Sequence, residues 1–123
     1  MSIPVELTDL TAAMARYGPA AFLLTGGDDG RPHVSHVLVD REGSRLVVPS
    51  GGRTARNASA RPLVALLWPP VEPGGFSLIV DAEAASADDG RLGLVPTRAV
   101  LHRPAGTATG EAVDFTDCRP LEL

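Results

Sequence analysis

Glycine and proline divide this chain into short pieces. Thirteen glycines and eleven prolines among 123 residues interrupt almost every apolar run. Such punctuation leaves room for short strands joined by tight turns and for little helix. The apolar runs read as strands at 20–25, 32–40, 45–48, 63–68, 76–84 and 92–102. Between them stand the turn clusters Gly26–Gly30, Glu42-Gly43, Pro69–Gly75 and Asp88–Gly90, two of them with the Asp-Gly signal of a hairpin. The first three strands read as an antiparallel meander. Pro96 within the last strand predicts an edge or a bulge, because proline cannot donate to a ladder.

Two segments escape this rule. In residues 6–17, Leu7, Leu10, Ala13, Met14 and Tyr17 recur at the three-and-four spacing of a helical apolar face, and Gly18-Pro19 ends it. A short polar helix is expected between the third and fourth strands. The predicted architecture is mainly β: a six-stranded, closed or nearly closed antiparallel barrel with an N-terminal helix and a connector helix. It forms one domain over residues 1–123, with the helix in 1–19, the barrel in 20–104 and a C-terminal tail in 105–123.

The formal net charge is −4, which disfavours nucleic acid as the main partner, since a phosphate backbone needs a clustered basic surface. The lone Cys118 allows neither an intrachain disulfide nor a cysteine metal cluster. No apolar run approaches membrane-spanning length and no leader pattern is legible, so a cytoplasmic location without membrane contact is expected.

The stretch LVVPSGGRTARNASARPLVALLW, from Leu46 to Trp68, carries the clearest functional signal. Gly51 and Gly52 open onto the connector helix, whose first N–H groups are free and carry partial positive charge. Arg53 and Arg56 stand three apart, on one side of that helix. The combination suits an anionic group, most simply a phosphate. The glycine spacing matches neither the dinucleotide fingerprint nor the P-loop, and a solvated basic connector is the plainer reading of the same residues.

Elsewhere the chemistry is sparse. His33 and His36 form H-x-x-H, but on a strand that spacing sends the rings to opposite faces, so no shared metal is expected. Val34, His36 and Leu38 then share one face, and His33, Ser35, Val37 and Val39 the other. His102, Cys118 and the carboxylates Asp28, Asp29, Asp88 and Asp89 suggest no site. Trp68, before Pro69-Pro70, reads either as core or as an aromatic lid.

Taken together, DDGRPHVSHVLVD, the Leu46–Trp68 stretch, FSLIVDAEA and LVPTRAVLHRPA resemble the pyridoxamine 5'-phosphate oxidase-like family of FMN-binding split barrels, in particular its small actinobacterial members. The resemblance runs from about Ala20 to Pro104. It implies a homodimer with a flavin in each of two interface clefts. It places Ser35, His36 and Val37 against the ring, with Pro49 and Ser50 beside it. Arg53, Thr54, Arg56 and Asn57 become the phosphate cradle. With Asn57 and Pro62 as anchors, the position at which relatives often carry lysine falls on Thr54. The chain lacks the C-terminal segment that binds substrate in pyridoxamine-phosphate oxidases, so a different substrate is expected.

The resemblance thus implies an oxidoreductase dependent on FMN or a deazaflavin coenzyme, with His36 the one candidate for proton transfer because its charge changes near neutral pH. The alternative is a non-catalytic split-barrel dimer that carries a flavin-like cofactor or has lost it.

Overall fold

The computed structural model describes residues 1–104; the tail from 105, including Cys118, lies outside the described residues. Two helices and eight strands follow in the order β1 (Ser2–Val5), α1 (Leu10–Tyr17), β2 (Ala20–Gly26), β3 (Pro32–Leu38), β4 (Asp40–Glu42), β5 (Arg45–Pro49), α2 (Gly52–Ala60), β6 (Leu63–Trp68), β7 (Ser77–Asp88) and β8 (Arg91–His102). A 3-10 turn, Leu7–Asp9, leads into α1.

One antiparallel sheet contains all eight strands, in the order β3-β2-β6-β7-β8-β5-β4, with β1 added to β8. Its two ends, β3 and β4, are joined covalently through the buried Val39. The chain leaves one edge of the sheet and enters the other within a single residue, which curls the sheet into a barrel. The long strand β8 makes this possible: Arg91–Leu94 pair with β5, and Ala99–His102 pair with β1.

Three expectations are corrected. The strand read over 32–40 is broken at Val39, and β5 pairs with β8 and β4 rather than with β3, so the first strands do not form a simple meander. Strand β1 adds to the six expected, and with β4 it brings the total to eight. The regular α-helix begins at Leu10, after the 3-10 turn, rather than at residue 6.

Alternation fills the barrel. Leu23, Val48, Leu66, Trp68, Leu78, Val80, Leu92 and Leu94 are fully buried, and β7 places Leu78, Val80 and Ala82 inward, as its period-two pattern requires. Trp68 is core: it has no exposed surface, and its Nε1–H donates to the Gly18 carbonyl at 2.9 Å, tying the barrel to the end of α1. Pro96 sits at a bulge. Asp81 pairs with Arg98 and Ala82 with Pro96, leaving Thr97 as the extra residue, and the Thr97 hydroxyl donates to the Asp81 carbonyl at 3.2 Å. A second irregularity lets Ser86 crowd Gly93, where a Cβ would stand 2.6 Å from Ser86 Oγ.

The outer face of β3, β2 and β6 is not covered. Val34, Leu38 and Leu63 are 55%, 62% and 77% exposed. Within this chain β6 is buried on one face only.

Candidate functional site

Helix α2 has one inward side. Thr54, Asn57 and Ala58 are buried at the i, i+3, i+4 spacing, while Arg53 and Arg56 are exposed. Two polar links fasten this side to the sheet. Thr54 Oγ1 and Ser35 Oγ on β3 lie 3.1 Å apart, and Ser35 Oγ also lies 3.3 Å from His33 Nε2. Asn57 Nδ2–H donates to Thr25 Oγ1 on β2 at 3.2 Å. Buried polar groups need such partners, since an unpaired one costs about 1–3 kcal/mol.

Helix α2 is also held to the β2–β3 hairpin. Arg61, just past its end, donates from Nε to the Gly26 carbonyl at 2.8 Å and from Nη2 to Asp28 at 2.7 Å. The hairpin itself is tightly closed. The Gly27 N–H donates to the Arg31 carbonyl at 2.9 Å, Gly30 turns at φ 78°, and Asp29 Oδ1 accepts from the Arg31 N–H at 3.0 Å. A Cβ on Gly27 would come within 2.9 Å of the Arg31 carbonyl oxygen, so the loop requires glycine there.

Between hairpin and helix lies an open cavity of about 370 Å³. Arg53, Arg56 and Asn57 form its helix wall, and Arg31, Pro32 and His33 its hairpin wall. Gly51 opens the helix in an extended conformation without a side-chain cap, leaving the first-turn N–H groups free of intrahelical acceptors. Gly52 lies beside the Arg56 guanidinium, 3.9 Å from where its Cβ would stand. Both carboxylates on the rim are engaged, Asp28 by Arg61 and Asp29 by the Arg31 backbone. Among the described residues Arg31, Arg53 and Arg56 make no salt bridge. The arrangement is a recess with three guanidiniums around it, suited to an anion; Gly51 and Gly52, at the start of the helix, are not part of its lining.

The sequence-predicted residues divide among distinct places. Arg53, Arg56 and Asn57 meet in the recess. Thr54 and Ser35 meet each other behind it, as fasteners of the helix. Val37 is core. His36 is on the opposite face of β3, exposed and stacked on Phe22 with ring centroids 4.9 Å apart. Pro49 and Ser50 end β5 beside the turn into β8, where the Ser50 N–H donates to the Gly90 carbonyl at 2.8 Å. His33 and His36 point to opposite sides, as the spacing required, and no group of metal-ligating side chains is present among the described residues.

Sequence reasoning missed Arg31 and Arg61. The signal for Arg31 was present: strand alternation carries the face of Ser35 and His33 back to residue 31. Arg61 had no such signal, because its role depends on a hairpin far away in sequence.

A Mycobacterium tuberculosis protein, Uncharacterized protein MT0457, is 44% identical, with the match covering 82% of this chain and 82% of its own length. The chain belongs to that protein's family. No protein-family model matches it. A crystal structure of a Listeria innocua protein assigned as a pyridoxamine 5'-phosphate oxidase superposes with a TM-score of 0.63 at 19% identity, over 78% of this chain and 98% of that one. An F420 reductase superposes with a TM-score of 0.55 at 18% identity, over 68% and 90%. The fold is the split barrel of the pyridoxamine 5'-phosphate oxidase-like proteins. Among the described residues no helix is long and apolar enough to cross a membrane.

Proposed function

We propose that this split barrel binds a flavin-type cofactor, FMN in the leading reading and a deazaflavin coenzyme in the second, and works as an oxidoreductase on a substrate other than pyridoxamine phosphate. The observation that carries this reading is the recess itself: the guanidiniums of Arg31, Arg53 and Arg56 gather around one cavity and make no salt bridge among the described residues. The groups present fit a cofactor phosphate. Arg53 and Arg56 donate to its oxygens, and the free N–H groups of the first turn of α2 approach it closely because Gly51 and Gly52 carry no side chains. Thr54 and Asn57 act behind them, holding the helix in place through Ser35 and Thr25. The deazaflavin reading draws support from the likeness to an F420 reductase. When bound, the cofactor supplies the hydride or electron transfer.

The protein acts as a homodimer in this proposal. The uncovered outer face with Val34, Leu38 and Leu63 is the surface that a second copy buries, and obligate pairs typically bury 2,000 Å² or more in total. His36 lies on that face beside Phe22, so its candidate role in proton transfer depends on dimer formation. Absorbance and mass spectra of the purified protein, followed by FMN and deazaflavin titration, test the cofactor reading. Retention of either compound supports it, and binding of neither contradicts it. Sedimentation at micromolar concentration tests the dimer, which a stable monomer would refute.

A further inference from the structure

We infer that the recess has two anion-binding walls, with Arg31 of the β2–β3 hairpin as the second, and that its ligand carries two adjacent anionic groups rather than one phosphate. The inference deepens the cofactor reading and rests on it for the ligand's identity, but the two-walled geometry stands on its own observations.

A single phosphate at the start of α2 would use the first-turn N–H groups with Arg53 and Arg56. Arg31 lies across the cavity from that helix, on the opposing hairpin. Its side chain makes no hydrogen bond or ion pair among the described residues. Its backbone, by contrast, is fixed from two directions: the Arg31 N–H donates to Asp29 at 3.0 Å, and the Arg31 carbonyl accepts from Gly27 at 2.9 Å. Arg61 then clamps the same hairpin to the helix through Gly26 and Asp28. The guanidinium therefore lines, from an anchored base, a cavity of about 370 Å³, roughly twelve times the ~30 Å³ that one water occupies in the liquid. A guanidinium prefers bidentate pairing with a phosphate or carboxylate. An anion held only at α2 leaves Arg31 without that pairing, whereas a second charged group beyond it fills the far wall. The chemistry shared by suitable ligands is a diphosphate, as in a flavin dinucleotide, or a phosphodiester followed by carboxylates, as in a deazaflavin coenzyme.

The test uses the described chain with its tail, as wild type, Arg31→Ala, Arg31→Lys and Arg53→Ala. Isothermal titration with inorganic orthophosphate and pyrophosphate comes first, then with FMN, FAD and a deazaflavin coenzyme, all at one ionic strength. Arg31→Ala should lower pyrophosphate and FAD affinity by about tenfold or more, and orthophosphate and FMN affinity by less than about twofold. Arg31→Lys should restore part of the loss, and Arg53→Ala should weaken all the phosphate-bearing ligands. A loss confined to the deazaflavin coenzyme would assign the far wall to carboxylates rather than to a second phosphate, and would also support two walls. If the inorganic selectivity holds while no flavin binds, the second wall stands and the flavin reading fails. Equal losses for the one-phosphate and two-phosphate ligands, no loss for any ligand including the deazaflavin coenzyme, or no pyrophosphate binding by wild type would overturn the inference.

Discussion

The barrel interior and the hairpin–helix recess are built from opposite materials. Inside, Trp68, Leu66, Leu78 and Val80 are fully buried, and packing alone decides which residues fit. At the recess, Arg31, Arg53 and Arg56 are exposed, and the buried groups behind them are polar: Thr25, Thr54 and Asn57. The interior serves stability, whereas the recess carries three guanidiniums that make no salt bridge among the described residues. The difference teaches where each kind of mutation should register. Interior changes should lower stability, and recess changes should lower ligand affinity at nearly constant stability.

The sharpest test of the interior is Trp68→Ala. Removing a fully buried tryptophan should cost about 3–5 kcal/mol, together with the bond to Gly18. Urea or thermal unfolding would show it, and a loss below about 1 kcal/mol would mean that the indole is not part of a packed core. Gly93→Ala is next. Its Cβ would meet Ser86 Oγ at 2.6 Å; Ser86 is exposed and its hydroxyl can rotate away, so the loss should stay near or below about 1 kcal/mol. The double variant Gly93→Ala/Ser86→Gly should recover much of that loss, since the clashing atom is gone.

Asn57→Ala probes the boundary between the two regions. The side chain is buried, lines the recess and donates to Thr25. A buried hydrogen-bond partner lost in this way costs about 1–3 kcal/mol, and anion affinity should fall with it because α2 loses an anchor. A stability loss with unchanged affinity would separate the helix anchor from the site.

Much of this division was legible in the sequence. The glycine and proline clusters separated the strands, and three-and-four spacing identified the apolar face that runs through α1. What was not legible depended on partners distant in the chain. Strand β1 is four residues with a proline and no alternation, and it exists because β8 is long enough to receive it. The break at Val39 lies inside a continuous apolar run, VLV, and follows from the closure of the sheet. At the site, the glycine-to-helix signal located Arg53 and Arg56, while Thr54 reads as a phosphate ligand in sequence and as a fastener in structure. A hydroxyl in the first helical turn satisfies either description until Ser35 is seen beside it.

Smaller effects belong to the exposed charges. Arg56→Ala should change stability by less than about 0.5 kcal/mol, because the side chain is exposed and makes no salt bridge among the described residues. Phosphate-ligand affinity of the wild type should fall as salt is raised, since screening is stronger at higher ionic strength. Salt-independent binding would remove the electrostatic account of the recess.

The most direct measurement is fluorescence titration of wild type and Arg53→Ala with FMN and with riboflavin, which lacks the phosphate. A lost charge-assisted contact of about 1.5–3 kcal/mol corresponds to roughly a tenfold to hundredfold change in affinity. The account predicts that Arg53→Ala weakens FMN by that factor, leaves riboflavin nearly unchanged, and unfolds at the wild-type urea midpoint. Equal weakening of FMN and riboflavin, or a wild type that binds neither, would contradict it.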